Sequence, residues 1–136
     1  MRPILFDTCA ALWVVTEGQL TAEAEAELMQ AQRRQVPIYI SPITAWEVGQ
    51  LVARGRITLP MSPISWFDAH LAAGVSLAPL TPELLIEASF LPPSQLRDPA
   101  DRILASTARA LGLRLMTRDR PLLEFARAGH LQAIAC

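Results

Sequence analysis

The sequence predicts one α/β domain, residues 1–136, a three-layer sandwich in which helices cover both faces of a mainly parallel five-stranded sheet. Short apolar segments alternate with helical segments along the chain, a pattern that requires crossover connections between parallel strands. Several helices carry a clear start signal. The length of 136 residues is enough for one sizeable core and too short for two domains.

The predicted strands are short apolar runs bounded by turn-forming residues. Residues 2–6 form such a run, and Asp7 follows it directly. Residues 113–117 are bounded by Gly112 and Asp119, so a second strand also leads into an aspartate. The five predicted strands are 2–6, 37–40, 75–78, 113–117 and 132–135.

Most predicted helices begin at a capping residue, and four of these are followed by proline, which has no amide to leave unpaired. Those four starts are Ser41 with Pro42, Ser62 with Pro63, Thr81 with Pro82, and Asp98 with Pro99. Glycine predicts the helix ends at Gly18, Gly55, Gly112 and Gly129. The predicted helices are 8–15, 21–34, 41–53, 98–111 and 121–128, with two more that begin at Ser62 and Thr81.

Glu47 lies inside the helix predicted at 41–53. One turn after Ile43, it falls at the edge of the apolar face of that helix. A carboxylate beside an apolar face needs a structural or chemical reason. The residues that share this face are Ile43, Trp46, Gln50 and Leu51.

Composition excludes several kinds of chemistry. All 12 basic residues are arginine, which excludes mechanisms that need a lysine, such as P-loop phosphate binding and Schiff-base formation. Cys9 and Cys136 make no disulfide framework, and His70 and His130 lie in no metal-ligand spacing. Any metal must therefore be held by oxygen. The net charge of −1 provides no overall attraction to nucleic acid.

The apolar content predicts a partner. The hydrophobic fraction of 51% and the mean hydropathy of +0.28 are high for a soluble monomer. No apolar run approaches the roughly 18 residues of a membrane span, and no signal peptide is evident, so we expect a cytoplasmic protein. We expect Cys9 to be a small buried residue and His70 and His130 to lie at the surface. The tryptophans expected in the core or an interface are Trp13, Trp46 and Trp66.

Four carboxylates come from four separate segments, namely Asp7, Glu47, Asp101 and Asp119. The fold class predicts that the ends of at least two strands and the start of one helix point to the same edge of the sheet. Ligands of open α/β sheets bind where strands end and helices begin. Converging carboxylates repel one another unless protons or cations neutralise them, and oxygen ligands suit Mg²⁺ or Mn²⁺. Such a site would support phosphodiester hydrolysis, because bound metal lowers the pKa of water and stabilises the leaving oxygen.

Each acid also has a purely structural explanation. Asp101 could complete a capping box, Asp7 and Asp119 could be ordinary loop residues, and Glu47 could lie at the solvent margin of its helix. Asp98 is expected to be an N-cap rather than a ligand. The joint placement of the four acids favours a site.

Four arginines crowd around the acidic segments, which would supply local positive charge for a nucleic-acid substrate. The alternative is plain solvated surface, since exposed arginine is common. These candidates for phosphate contacts are Arg97, Arg102, Arg118 and Arg120.

At these residues the chain resembles the PIN-domain ribonucleases, in particular the toxins of VapBC-type toxin–antitoxin pairs. Nearly the whole chain takes part in the resemblance, and its blocks occur in the family's order. The blocks are Leu-Phe-Asp-Thr-Cys-Ala-Ala-Leu-Trp at 5–13, Ser-Pro-Ile-Thr-Ala-Trp-Glu-Val at 41–48, Ala-Arg-Gly-Arg-Ile at 53–57, Asp-Pro-Ala-Asp-Arg at 98–102 and Thr-Arg-Asp-Arg at 117–120.

The resemblance implies a PIN-like fold and endonucleolytic cleavage of RNA. It makes Asp7, Glu47, Asp101 and Asp119 an acidic quartet that holds Mg²⁺ or Mn²⁺, with Asp98 as a cap or outer-shell acid. Relatives often have a histidine at the position of Cys9. They often have another histidine shortly before the helix that begins at Asp98, where this chain has Gln95. These departures concern the surroundings of the quartet and not its four members.

The resemblance and the apolar content together predict two protein partners. One is a second copy of the chain, bound through the early helices as a homodimer. The other is an antitoxin, which would lay an apolar helix and a basic residue across the groove beside Asp7 and Asp119.

Two other functions remain as alternatives. One is a non-catalytic module that keeps the PIN fold and binds a protein, although the intact quartet counts against it. The other is a receiver-like or phosphatase domain that uses an aspartyl phosphate, which the absence of lysine disfavours.

Overall fold

The structure is a computed structural model that describes residues 1–15 and 19–136. The helix break predicted at Gly18 lies outside these residues. Within the described ranges there are five strands and seven helices. In chain order they are β1 (Ile4–Phe6), α1 (Thr8–Trp13), α2 (Ala22–Arg33), β2 (Ile38–Ile40), α3 (Pro42–Ala53), α4 (Pro63–Ala72), β3 (Ser76–Leu77), α5 (Pro82–Glu87), α6 (Pro99–Leu111), β4 (Arg114–Thr117), α7 (Arg120–Arg127) and β5 (Gln132–Ala135).

The sheet is parallel throughout and has the strand order β3-β2-β1-β4-β5, which confirms the predicted fold class. The chain leaves β1 toward one edge through β2 and β3, and then returns to add β4 and β5 on the other side of β1. The carboxyl ends of β1 and β4 therefore flank the topological switch point. Open α/β sheets bind their ligands at this position.

The number of strands was predicted correctly, but several ends were placed too far out. β1 begins at Ile4 instead of residue 2. β3 comprises only Ser76 and Leu77, both exposed, at the edge of the sheet. The last helix begins at Arg120, one residue before the predicted start, because the Asp119 side chain already caps it.

The helix-start predictions are confirmed by hydrogen bonds. Each of the four predicted capping side chains accepts a bond from a backbone amide in the first turn, as do the caps of the other helices. Gly112 ends α6 in the left-handed conformation, with φ of 66°. The four predicted capping residues are Ser41, Ser62, Thr81 and Asp98.

Two apolar cores lie on opposite faces of the sheet. Ile4, Phe6 and Met116 belong to one, whereas Leu5 and Leu115 belong to the other, since successive side chains of a strand point to opposite faces. A strand covered on both sides is apolar along its whole length. In the described part of the chain, no helix is both long and apolar enough to cross a membrane.

The prediction that His70 lies at the surface is wrong. Its side chain is 5% exposed and packs edge-on against Trp66, with ring centroids 4.8 Å apart. Nε2 of His70 makes a 3.0 Å hydrogen bond with the carbonyl oxygen of Ala11. This hydrogen bond links α4 to α1. Burial lowers the pKa of His70.

Two further burial predictions are wrong, those for Cys9 and for the apolar face of α3. Cys9 is exposed, because α1 directs its neighbours Ala10 and Ala11 into the core instead. Trp46 is 59% exposed, so of the two environments predicted for it, core or interface, it does not occupy the core. The buried residues of α3 are the smaller Thr44 and Val48, so the predicted apolar face was rotated from the real one. Trp66 is in the core, as expected, and Trp13 is half-buried.

Candidate active site at the carboxyl ends of the central strands

Asp7 and Asp119 follow the adjacent strands β1 and β4, and each caps the helix that comes next. Oδ1 of Asp7 accepts a 2.7 Å hydrogen bond from the amide of Ala10. Oδ2 of Asp119 accepts one of 3.2 Å from the amide of Leu122. Helix N-termini favour negative charge, so both carboxylates are held at the switch point by the same device. The remaining lone pairs of each carboxylate can accept a proton or bind a cation.

Thr117, the last residue of β4, connects these two aspartates. Its buried hydroxyl donates a 2.5 Å hydrogen bond to Oδ2 of Asp7 and accepts one of 3.0 Å from the amide of Asp119. One side chain therefore positions both. This role was not predicted from the sequence, although a threonine at the end of a strand, two residues before Asp119, was the available signal.

Glu47 reaches the same region from α3. The hydroxyl of Thr8, next to Asp7, donates a short hydrogen bond to Oε1 of Glu47 and lies 3.3 Å from the hydroxyl of Thr44. Burial raises the pKa of Glu47, and the charges of Asp98 and Asp7 raise it further, while the bond from Thr8 opposes the rise. Thr8 is a second supporting residue that sequence reasoning missed.

Asp98 and Asp101 open α6 and lie on the same side of the sheet edge. Oδ2 of Asp98 accepts a 3.0 Å hydrogen bond from the amide of Asp101, which confirms the predicted cap. Burial raises the pKa of Asp101 to about 8, with further contributions from Asp119, Asp98, Glu47 and Asp7. Asp101 therefore keeps its proton near neutral pH in the absence of a counter-charge.

The acids act on one another electrostatically. Burial raises the pKa of Asp7, and the charge of Asp119 adds to the rise, whereas the hydrogen bonds from Thr117 and Ala10 oppose it. The charges of Asp119, Asp98, Glu47 and Asp7 all act on Asp101, so the four predicted residues lie near enough to influence one another, with Asp98 as a fifth acid among them. We call Asp7, Glu47, Asp101 and Asp119 the acidic cluster. Its negative charge requires protons or cations for neutralisation.

The acidic cluster fits a hard divalent cation in its chemistry, because it offers carboxylate oxygens from four segments. Yet among residues 1–15 and 19–136, no three Asp, Glu, His or Cys side chains are close enough to hold a metal ion between them as they stand. A cation would have to draw the carboxylates together or bind some of them through water. Mg²⁺ commonly keeps several of its waters in this way.

The candidate arginines differ in their surroundings. Nε of Arg102 donates to the carbonyl of Ala88 at 2.9 Å, and Nη1 donates to that of Leu96 at 2.8 Å. Arg102 is thereby engaged in holding the segment between α5 and α6. Arg118 and Arg120 are exposed on either side of Asp119, and Arg97 is also exposed.

The chain matches a known family over most of its length. The model of the PIN domain matches residues 4–129. Ribonuclease VapC22 of Mycobacterium tuberculosis is 34% identical over 122 residues, which cover 90% of this chain and 91% of that protein.

Solved structures share the fold. VapBC2 from Rickettsia felis, bound to a DNA fragment from its promoter, superposes with a TM-score of 0.69 and 15% identity over 98% of both chains. DNA-bound VapBC from Salmonella typhimurium gives 0.63 and 16% identity over 99% of this chain and 98% of that one. At these identities the likeness concerns the fold alone. Because the family model and the relative each span about nine tenths of the sequence, the chain belongs to the PIN domain family and is similar within it to the VapC proteins.

Proposed function

We propose that this protein is a metal-dependent endoribonuclease and the toxin of a VapBC-type toxin–antitoxin pair. The observation that carries the proposal is the acidic cluster at the switch point of the sheet, where Asp101 has a pKa of about 8. Acids whose pKa values are raised by burial and by one another's charges are typical of functional sites. The relative VapC22 is itself named a ribonuclease.

In this proposal Asp7, Glu47, Asp101 and Asp119 hold Mg²⁺ or Mn²⁺. When bound, the metal lowers the pKa of the attacking water and stabilises the leaving oxygen of the phosphodiester. Thr117 fixes the position of Asp7 relative to the amide of Asp119 through its two hydrogen bonds. Asp101 would lose its proton when a metal ion binds. Hydrogen bonds to ligand carboxylates orient them and typically affect activity strongly.

RNA would reach the acidic cluster past exposed arginines. The chain has a net charge of −1, so attraction of a polyanion must be local. Arg118 and Arg120 flank Asp119, and Arg97 lies just before the cap of α6. A planar guanidinium can hold a phosphate with two hydrogen bonds, which suits a flanking nucleotide.

The proposal includes an antitoxin as a partner, since the similar structures are of VapBC bound to DNA, and a second copy of the chain, since the apolar content is high. A groove of about 410 Å³ between α1 and α4 includes Leu12, Met61 and Trp66 in its lining. Its apolar lining fits an apolar helix, and Asp7 is the N-cap of α1, the helix that contributes Leu12 to this lining. Exposed Met29 of α2 adds apolar surface that a homodimer formed through the early helices could cover.

Incubation with total RNA tests the enzymatic part. Purified protein would be mixed with RNA in Mg²⁺, Mn²⁺ or EDTA, and new 5′ ends would be sequenced. We expect discrete new ends with either metal and none with EDTA. An identical pattern in EDTA would contradict metal dependence, and the absence of new ends under every condition would favour the non-catalytic binding module.

A further inference from the structure

Arg118 and Trp13 form a stacked pair beside the acidic cluster. The central guanidinium carbon of Arg118 lies 3.2 Å from the centroid of the Trp13 ring. Nη2 of Arg118 also donates a 2.7 Å hydrogen bond to the carbonyl oxygen of Gln19. The guanidinium is therefore supported by an aromatic ring on one face and held by a hydrogen bond at one edge, an arrangement that Lys cannot reproduce.

The position of Arg118 places this pair at the site. Arg118 lies between β4 and α7, one residue before Asp119. Burial raises the pKa of Asp7 and that of the Cys136 thiol, and the charge of Arg118 opposes both rises. Arg118 is thus close to one member of the acidic cluster and to the end of β5. Its side chain is exposed.

Two other hydrogen-bonded arginines, Arg102 and Arg114, are less available to a ligand than Arg118. Arg102 is half-buried and donates hydrogen bonds to two backbone carbonyls. Arg114 forms an ion pair of 2.5 Å with Glu27, away from the switch point. Arg118 instead combines a fixed planar cation with exposure. A fixed planar group loses little conformational entropy when another planar group stacks on it.

We propose that the outer face of the Arg118 guanidinium stacks against one base of single-stranded RNA and so extends the Trp13–Arg118 stack. Proteins commonly recognise unpaired bases by stacking them on aromatic rings or guanidinium planes. The contact would hold a nucleotide next to the scissile bond without selecting its identity, because every base has a π face. This inference rests on the proposed nuclease function and assigns Arg118 and Trp13 as its positioning residues.

The test compares the unmodified protein with Arg118→Lys, which keeps the charge and removes the plane. On a cleaved RNA we expect KM to rise about 10-fold, the loss of roughly one stacked base, while kcat stays within about twofold. RNA that lacks one base near the scissile bond should show a similar loss with the unmodified protein and no further loss with Arg118→Lys. Trp13→Phe keeps a ring under the guanidinium and should lose less.

Arg127→Lys is the matched control, since Arg127 is an exposed arginine in the last turn of α7. Binding of a short fluorescent single-stranded RNA is measured in parallel, with Ca²⁺ in place of Mg²⁺. Arg118-dependent binding without any cleavage would support the stacking site while the nuclease proposal fails. Cleavage with an unchanged KM for Arg118→Lys, or an equal loss in Arg127→Lys, would overturn the stacking site alone. Failure to bind RNA would overturn both.

Discussion

The hydroxyl of Thr117 donates a 2.5 Å hydrogen bond to Oδ2 of Asp7 and so joins two strand ends that are 110 residues apart in sequence. The same oxygen accepts a hydrogen bond from the amide of Asp119. The relative position of two proposed metal ligands therefore depends on one buried side chain. This relationship leads to the first prediction.

Thr117→Val should reduce kcat/KM for RNA cleavage about 10-fold to 100-fold, the range typical of groups that orient metal ligands. Valine keeps the shape and removes both hydrogen bonds. The matched control is Thr107→Val. The Thr107 hydroxyl donates a 2.8 Å hydrogen bond to the carbonyl oxygen of Ile103 within α6, and this bond involves no member of the acidic cluster. Steady-state kinetics and melting temperatures of both variants check this. Equal activity losses would show that Thr117 matters only for the fold.

Asp7→Asn and Asp119→Asn should each abolish RNA cleavage. Asparagine can still cap α1 or α7, so the fold is retained, and in EDTA each variant should melt at or above the temperature of the unmodified protein because repulsion is relieved. Turnover with Mg²⁺ and thermal melting in EDTA are the measurements. Cleavage near the unmodified rate would remove that residue from the proposed ligands.

Metal-free protein should become less stable as the pH rises from about 5 to 8. Asp101 has a folded-state pKa of about 8 against 3.8 for the ordinary carboxyl, so the folded state binds more protons in this window. The free energy of unfolding then falls with pH, by at most about 1.4 kcal/mol per pH unit for one group. Thermal melts in EDTA should show this slope. Asp101→Asn should flatten it, and an unchanged slope would contradict the assigned pKa.

Asp98→Asn should retain far more activity than Asp101→Asn. Asp98 accepts a hydrogen bond from the amide of Asp101 at the start of α6, and asparagine caps a helix equally well. Asp98→Ala should lower stability by about 0.5 to 2 kcal/mol, the typical effect of losing an N-cap. Paired melts and cleavage assays test this. If Asp98→Asn is as inactive as Asp101→Asn, Asp98 belongs among the ligands.

Antitoxin and divalent metal should compete for the acidic cluster. A basic residue at one end of an antitoxin helix would neutralise the same carboxylates that bind the cation. Co-expression with the product of the neighbouring gene, followed by titration of Mg²⁺ into the complex, measures this competition, and light scattering after size exclusion measures the dimer. A monodisperse monomer that binds no such product and is harmless when expressed alone would leave the toxin assignment without support.

The helix starts were predictable because their signals are local. A cap and a proline act within one turn, so Ser41, Ser62, Thr81 and Asp98 could be identified without any knowledge of the fold. The alternation of apolar strands with helices likewise determined a parallel sheet. Since parallel strands end at the same edge, a parallel sheet was enough to predict that Asp7 and Asp119 lie at one edge, whereas the adjacency of β1 and β4 was found only in the structure.

The errors concern residues whose surroundings are contributed by distant segments. His70 is buried because α4 packs on the carbonyl of Ala11, and the buried face of α3 is the one that carries Thr44, whose hydroxyl lies 3.3 Å from that of Thr8. Neither contact can be predicted from the neighbouring residues in the sequence. A histidine or tryptophan within an amphipathic helix is compatible with either environment.

Local patterns in the sequence were enough to predict the fold class and the helix caps, and to name four acids as candidates for one site, because periodicity and capping are properties of short segments. The contacts that hold the acids in place came only from the packing of distant segments: Thr117 joins Asp7 to the amide of Asp119, Thr8 bonds Glu47, and Arg118 lies over the ring of Trp13. Those contacts depend on the angle and spacing at which separate segments pack. Burial within that packing is also what raises the pKa of Asp101 to about 8.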